Sequence, residues 1–115
     1  MNESERNELV KYRISKAKTT LKEVTILIEN KLYNTAINRT YYACYYAVIA
    51  LLLNKEIKTQ THSGVRQMFG LHFVKTDLID RDLGKFYTYI HDKRQTGDYD
   101  DFVEYKEEDV LNLLP

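Results

Sequence analysis

The stretch that decides the fold is residues 38–53, NRTYYACYYAVIALLL. It contains no glycine or proline, and its apolar residues recur at helical spacing on two faces at once. The first face carries Ile37, Cys44, Ala47 or Val48, and Leu51; the second carries Tyr42, Tyr45, Ile49 and Leu52. A helix that is apolar nearly all round must be covered on more than one side. The pattern therefore predicts a central helix over residues 33–53 that packs its own domain with one face and something else with the other.

A membrane span is the competing interpretation of this stretch, because about 20 apolar residues are enough to cross a bilayer. Asn38, Arg39 and four tyrosines near its start argue against this, since polar groups in hydrocarbon need partners that lipid does not supply. We therefore expect no membrane association.

Composition bounds the class of protein. The chain has 115 residues, enough for one domain with a single core, and its 17 basic and 17 acidic residues cancel. Residues 98–115 contain seven acids and one base, a net of −6, which leaves +6 on residues 1–97. This asymmetry permits a basic surface with an acidic tail nearby, although ordinary solvated faces explain it more simply. The lone Cys44 excludes a disulfide within the chain, and the polar first residues give no export signal, so we expect a cytoplasmic protein.

The remaining chain reads as helices throughout. A first helix over residues 4–30 has a stripe spaced 4, 3, 4, 3 and 4, formed by Val10, Ile14, Ala17, Leu21, Val24 and Ile28. The short connection at residues 30–31 favours an antiparallel hairpin with the central helix. Asn54 is a candidate left-handed helix end.

Three further helices follow. The third begins at Thr59 or Thr61 and is interrupted near Gly70. The fourth is capped by Asp80 and ends at Gly97, before a turn over residues 98–101. A short fifth helix covers residues 106–114. No segment alternates as a strand does. The sequence predicts one all-α domain over residues 1–115, an antiparallel up-and-down bundle of four to five helices.

Arg94 is the first candidate functional residue. Its spacing continues the stripe of Leu83, Tyr87 and Ile90, which should face the core. A guanidinium at the edge of a core keeps its charge and needs anionic or carbonyl partners. Asp98, four residues later, is one such partner. Two interpretations remain open, a structural Arg94–Asp98 pair and an anion-binding site.

His62 follows a capping threonine at a helix start, where the helix dipole disfavours protonation and a neutral ring is expected. It is either a packing residue or part of a site. His72, His91 and Cys44 show no metal-ligand spacing, so we expect no metal. The chain also lacks a nucleophile elbow, a phosphate-binding loop and a dinucleotide-binding turn, and we expect no cofactor.

Four tyrosines crowd the start of the central helix, namely Tyr41, Tyr42, Tyr45 and Tyr46. They lie on both of its sides, so they cannot all be core residues. Since no basic cluster surrounds them, a protein interface explains the outward ones better than a base-stacking platform. We expect a homodimer that uses Tyr45, Ile49 and Leu52.

Four short motifs occur in order along the chain: Asn38-Arg39-x-Tyr41-Tyr42-Ala43, Thr61-His62-x-Gly64-Val65, Phe69-x3-Phe73-Val74-Lys75 and Arg94-x3-Asp98-Tyr99. In this order and spacing the chain resembles small prokaryotic HEPN-domain proteins over about residues 5–110. The resemblance implies a bundle of four or five helices that usually dimerises. It also implies a genetic pairing with a minimal nucleotidyltransferase, as in toxin–antitoxin systems. Many HEPN domains are metal-independent ribonucleases that use an Arg and a His, four to six positions apart, at the fourth helix.

The chain departs from that nuclease pattern. After Arg94 and four intervening residues comes Tyr99, where the nuclease pattern would have a His. Arg66 and His72 do have a suitable separation, but they fall in the third-helix segment and not in the fourth. Arginine can stabilise a phosphorane, but a tyrosine with a pKa near 10 is a poor proton acceptor at neutral pH. The resemblance is thus closer to a branch without the usual catalytic pair.

Three functions remain in competition. The first is a HEPN module without robust catalysis that binds a nucleotide, another anion or a nucleotidyltransferase, through seven candidate residues: Asn38, Arg39, Tyr42, His62, Arg94, Asp98 and Tyr99. The second is a ribonuclease toxin with Arg94 as the cation and His62 as the base. The third is a structural bundle in which these groups merely satisfy one another. The sequence names neither the ligand or RNA target nor the cognate partner. Family members usually continue the last helix further, and whether a missing turn matters to the site is left open.

Overall fold

The computed structural model describes residues 1–99 and 104–111, with the backbone alone at residues 95–99 and 111. Within these ranges, five α-helices and one π-helical turn follow one another: α1 (Glu3–Glu29), α2 (Tyr33–Asn54), α3 (His62–Phe69), the π turn (Gly70–Val74), α4 (Arg81–Tyr99) and α5 (Glu107–Leu111). No strand occurs within the described ranges. The all-α helical bundle that the sequence predicts is confirmed.

The two longest helices form the predicted antiparallel hairpin. Arg6, at the start of α1, is paired with Glu56, just after α2, at 2.8 Å. Glu23, near the end of α1, is paired with Arg39 in the first half of α2 at 3.3 Å. The start of α1 thus lies beside the end of α2, and the end of α1 beside the start of α2, as antiparallel packing requires. The connection turns at Lys31, whose φ of 60° is left-handed.

The buried face of α1 differs in one position from the predicted stripe. Ala17 and Val24 are buried, but Leu21 is 48% exposed, so its assignment to the core is wrong. At about 100° per residue, Leu21 lies to one side of the line through Ala17 and Val24. Thr20 is buried on the other side instead, and its hydroxyl donates to the Lys16 carbonyl oxygen at 2.8 Å. A hydroxyl that satisfies itself on its own helix can occupy a core position at little cost.

Two predicted helix starts are confirmed by their capping bonds. The Thr61 hydroxyl accepts a bond from the Gly64 N–H at 2.8 Å, and the Asp80 carboxylate accepts one from the Asp82 N–H at 2.7 Å. The first of these fixes where α3 begins, and therefore where the His62 ring is placed.

Two predicted helix ends are wrong. Asn54 is still helical, and the left-handed residue after α2 is Glu56, with φ of 59°. The backbone of α4 continues past Gly97 to Tyr99, so the predicted turn does not begin at residue 98. Glycine inside a helix costs only about 1 kcal/mol relative to alanine, which neighbouring turns can offset. Residues 100–101 of that predicted turn and residues 112–114 of the predicted fifth helix lie outside the described residues.

The core lies between α2 and the elements that cover it. Its largest fully buried side chains are Tyr41, Ile37, Leu52, Ile90, Val65 and Val110. Val110 brings α5 into this core, and Tyr105 fixes the segment before it: its N–H donates to the Asn34 side-chain oxygen and its hydroxyl to the Lys93 carbonyl oxygen, both at 2.7 Å. Within the described ranges, no helix combines the length and the apolar character needed to span a membrane.

Candidate functional site

Tyr41 is the centre of a cluster of aromatic and cationic side chains between α2, α3 and α4. Its side chain is fully buried, and its hydroxyl lies 2.6 Å from Nδ1 of His62. The Thr61 cap makes His62 the first residue of α3, which places the ring over α2. The bond therefore ties the start of one helix to the middle of another.

Arg94 approaches the same tyrosines from α4. Its Nη2 donates to the Tyr42 hydroxyl at 3.0 Å. Its guanidinium carbon lies 5.3 Å from the Tyr42 ring centroid and 5.6 Å from that of Tyr41, within cation–π range. Since the His62 ring centroid is 5.9 Å from that of Tyr42, Arg94 and His62 contact the same pair of tyrosines.

Two more aromatic side chains complete the site. Tyr45 stacks on the His62 ring with centroids 4.4 Å apart and an angle of 26° between the planes. His91, only 9% exposed, meets the Tyr41 ring edge-on at 5.6 Å, and its Nδ1 lies 3.3 Å from an Asp92 carboxylate oxygen. We call the group formed by Tyr41, Tyr42, Tyr45, His62, His91 and Arg94 the tyrosine site.

The electrostatics of the site favour a neutral imidazole. Partial burial, which disfavours the charged form, lowers the pKa of His62, and the Arg94 guanidinium and His91 act in the same direction. The sequence predicts a neutral ring from the helix dipole, and burial and these two neighbours act in the same direction. Burial raises the pKa of Tyr41 to about 12, so this phenol keeps its proton at neutral pH.

These protonation states indicate which way the Tyr41–His62 bond runs. A buried phenol O–H needs an acceptor, and Nδ1 of a neutral imidazole at 2.6 Å is one. Tyr41 then donates to Nδ1, and the ring carries its own proton on Nε2. In this state Nε2 of His62 is a hydrogen-bond donor, on a ring that contacts the same two tyrosines as the guanidinium of Arg94.

The other predicted ligand residues lie at the edge of the tyrosine site, elsewhere on α2, or outside the described side chains. Arg39 lies at the edge of the tyrosine site, 5.8 Å from the Tyr42 ring centroid, while its Nε pairs with Glu23 at 3.3 Å. Asn38 is half-buried on α2. The side chains of Asp98 and Tyr99 lie outside the described residues, and so does the predicted Arg94–Asp98 pair.

The stripe used to single out Arg94 is partly wrong. Tyr87 and Ile90 are buried, but Leu83 is 56% exposed. Its neighbour Gly84 explains this, because a Cβ at that position would lie 2.8 Å from Cγ2 of Val74. At the start of α4 the glycine, and not the leucine, faces the π turn.

His91 is the site residue that sequence reasoning missed. Its spacing from the other histidines and Cys44 indicates no metal site, but it precedes Arg94 by three positions and so shares its helix face. The described residues contain no group of three or more His, Cys, Asp or Glu side chains arranged to hold a metal ion. Burial raises the pKa of the Cys44 thiol to about 11, which leaves it protonated and weakly nucleophilic at neutral pH.

The predicted dimer contacts divide into two kinds. Leu52 is 1% exposed and belongs to the core of the chain, so its side chain offers almost no surface to a second copy. Tyr45 and Ile49 are half-buried and line a groove of about 360 Å³ together with Arg13 and Lys58. A dimer through Tyr45 and Ile49 stays a prediction.

Comparison with known proteins identifies the family. The family model described as HEPN domain matches residues 10–115. The chain belongs to the HEPN family. The resemblance drawn from the four sequence motifs is thereby confirmed.

Individual relatives cover most of this HEPN chain. It is 42% identical over 114 residues to a "UPF0332 protein" of Thermotoga maritima, covering 99% of this chain and 85% of that protein. It is 41% identical over 101 residues to a Methanocaldococcus jannaschii protein named "Putative toxin MJ0142", covering 88% and 69% respectively. A second protein of that organism, named "Putative toxin MJ0605", is 39% identical over 92 residues, covering 80% of this chain and 69% of its own.

Proposed function

We propose that this HEPN domain is the toxin-like member of a two-component system and binds a phosphate-bearing ligand, a nucleotide or RNA, at the tyrosine site. In this proposal it acts as a homodimer and is partnered by a nucleotidyltransferase. It has no robust ribonuclease activity of its own. The observation that carries the proposal is that Arg94 and His62, from different helices, contact the same two tyrosines.

The chemistry of these two side chains supports a phosphate ligand. Guanidinium groups bind phosphate oxygens through several N–H donors in a fixed plane. The bond from Nη2 to the Tyr42 hydroxyl restricts that plane before any ligand arrives. The Nε2–H of His62 adds a neutral donor, and the stacked Tyr45 ring limits its motion. Such preorganisation lowers the entropy lost on binding.

The names of two relatives support the toxin-like part of the proposal, since both are called "Putative toxin". The dimer is supported by the half-buried second face of α2 at Tyr45 and Ile49. Because Tyr45 also stacks on His62, a second copy seated on this face would border the tyrosine site. The nucleotidyltransferase partner is proposed from the family resemblance alone.

A binding titration tests the ligand. A fluorescently labelled single-stranded RNA, and separately ATP, would be titrated with the wild-type protein, Arg94→Ala and His62→Gln. Lys22→Ala, an exposed α1 position, removes one positive charge elsewhere and serves as the matched control. We expect Arg94→Ala to weaken binding about tenfold or more, His62→Gln to weaken it less, and the control to bind like wild type. Equal affinities in all four proteins would remove the tyrosine site as the binding site.

The second candidate function is a ribonuclease toxin that uses the same two residues. It is favoured by one observation, namely that the structure brings His62 to Arg94 although the two are 32 positions apart in the sequence. A lowered pKa also keeps His62 unprotonated, as a general base must be. This candidate requires the opposite tautomer, with Nε2 unprotonated and Nδ1–H donating to Tyr41.

Growth of cells expressing the chain separates the two candidates. A catalytic toxin arrests growth when it is expressed without the neighbouring gene, and Arg94→Ala and His62→Ala both relieve the arrest. A binding module leaves growth unaffected under the same conditions.

A further inference from the structure

A second concave surface lies between α3, the π turn and α4. It is a groove of about 680 Å³, and neither His62 nor Arg94 lines it. Its apolar floor is formed by Phe69, Val74 and Tyr87. The Tyr87 ring stacks on Tyr41 at 5.9 Å and meets Phe69 edge-on at 5.5 Å, so the floor is held in place by the core.

Two glycines and the π turn shape this groove. The turn is closed by a bond from the Lys75 N–H to the Gly70 carbonyl oxygen at 2.8 Å, which spans five residues rather than four. A Cβ at Gly84 would collide with Val74, so α4 packs directly on the turn there. A Cβ at Gly70 would meet nothing within 4 Å, so the groove is open above that residue.

The rim of the groove is strongly basic. Four cationic side chains line it, Arg66, Lys75, Arg81 and Lys85, against the single carboxylate of Asp92. Arg66 lies 3.9 Å from that carboxylate. Within the described ranges, the other three cations form no ion pair.

Four positive charges against one negative charge around an apolar floor attract an anion that also has an apolar part. The volume lies within the usual range for small-molecule sites, roughly 300–1,000 Å³. We propose that this groove binds a small organic anion, an aromatic phosphate monoester in its simplest form. The ring lies on Phe69, Val74 and Tyr87, and the phosphate faces Lys75, Arg81 and Lys85.

Naphthyl phosphate tests the proposal, with naphthol and inorganic phosphate as controls that each lack one half of the ligand. Calorimetry measures the affinities, and backbone NMR shifts locate the bound molecule. We expect naphthyl phosphate to bind at least about tenfold more tightly than either half, with shifts concentrated at residues 66–92. Comparable binding of naphthol would overturn the anionic part of the proposal, and comparable binding of inorganic phosphate the apolar part.

Variants separate this groove from the tyrosine site. The double change Arg81→Ala with Lys85→Ala should weaken naphthyl phosphate binding about tenfold, while Lys11→Ala with Lys22→Ala, two exposed cations of α1, should not. The NMR shifts at residues 66–85 report on the groove alone, because no residue of the tyrosine site lies in that range; shifts there distinguish a failure of this proposal from a failure of the proposed function.

Gly70→Leu should fill the groove and abolish binding, because the backbone there is helical and the space is open. Circular dichroism establishes whether that variant folds; if it does not, the Arg81 and Lys85 double variant decides. Unaltered affinity in that double variant would overturn the proposal. So would binding of an acidic amphipathic peptide with none of naphthyl phosphate, which would make the groove a protein-docking surface instead.

Discussion

Removing one oxygen atom, in Tyr42→Phe, tests whether α2 orients Arg94. The hydroxyl of Tyr42 accepts a bond from Nη2 at 3.0 Å, while the ring lies 5.3 Å from the guanidinium carbon. Phenylalanine keeps the ring and its cation–π contact but loses the acceptor. The change therefore isolates the hydrogen bond.

The magnitude follows from the kind of bond and its surroundings. Hydrogen bonds to charged groups contribute about 1.5–3 kcal/mol when well shielded, and both side chains here are half-buried. We expect Tyr42→Phe to lower the free energy of unfolding by about 1–2 kcal/mol, a fall in melting temperature of roughly 4 °C per kcal/mol. Urea unfolding of the wild type, Tyr42→Phe, Arg94→Ala and the double variant gives a coupling energy of similar size. A coupling below about 0.3 kcal/mol would refute the orienting role.

The effect of Arg94→Ala on anion affinity can be compared with its effect on the stability of the fold. If Arg94 serves a ligand, Arg94→Ala destabilises the fold modestly but removes most of the anion affinity. A structural pair with Asp98 predicts the reverse, with strong coupling between Arg94→Ala and Asp98→Ala and unchanged binding. Thermal melts of these two variants and of their combination decide between the interpretations.

The remaining predictions concern assembly, tautomer, pH and catalysis. Light scattering at micromolar concentration should give a dimer, and Ile49→Arg or Tyr45→Arg a monomer, since either would bury an unpaired charge; a wild-type monomer would contradict this. NMR of the imidazole nitrogens should find the His62 proton on Nε2, and Tyr41→Phe should mix the tautomers. Because the folded-state pKa of His62 is lowered, the unfolded chain binds its proton more readily below about pH 6.5; stability should fall there as the pH falls, and less so in His62→Gln. Purified protein should not cleave single-stranded RNA robustly, with or without divalent metal; cleavage lost in both Arg94→Ala and His62→Ala, with the fold retained, would favour the toxin mechanism.

The sequence predicted the structure correctly where a pattern is compatible with only one local structure. The run at residues 38–53 is apolar on two faces, and α2 does lie at the centre of the bundle with Tyr41 and Leu52 buried. A threonine or an aspartate directly before a helix usually caps it, and Thr61 and Asp80 both do so. These features depend on local chemistry, which tertiary packing leaves unchanged.

It failed where neighbouring positions on a helix compete for the core. Leu21 and Leu83 fit a spacing of three and four, yet both are exposed, while Thr20 and Gly84 face inward. Hydrophobicity alone does not distinguish such neighbours, because the close approach of another helix can favour a small residue. The π turn is a similar case, since the Gly70 to Lys75 bond depends on how α4 packs against Val74.

The sequence indicated Arg94 and His62 as candidate site residues, but it did not indicate the side chains that join them. Arg94 and His62 were singled out separately, whereas the role of the Tyr41 hydroxyl and the presence of His91 came only from the structure. Spacing along one helix does not show which side chains of a second helix will meet it. The i, i+3 relation of His91 to Arg94 was the available signal, and it gains meaning only once α4 is placed against α2.

Tyr41 connects the fold of this HEPN domain to its proposed chemistry. Its ring is fully buried and stacks on Tyr87, so core packing fixes where its hydroxyl lies. That hydroxyl keeps its proton at neutral pH and is 2.6 Å from Nδ1 of His62, so in the proposed binding state it donates to Nδ1 and the imidazole proton is on Nε2. A histidine held as a donor contributes to binding a phosphate but does not remove a proton from a ribose hydroxyl. In the proposed function, Tyr99 stands where the family's nucleases carry a histidine, and His62, which contacts the same two tyrosines as Arg94, serves as a donor to the phosphate.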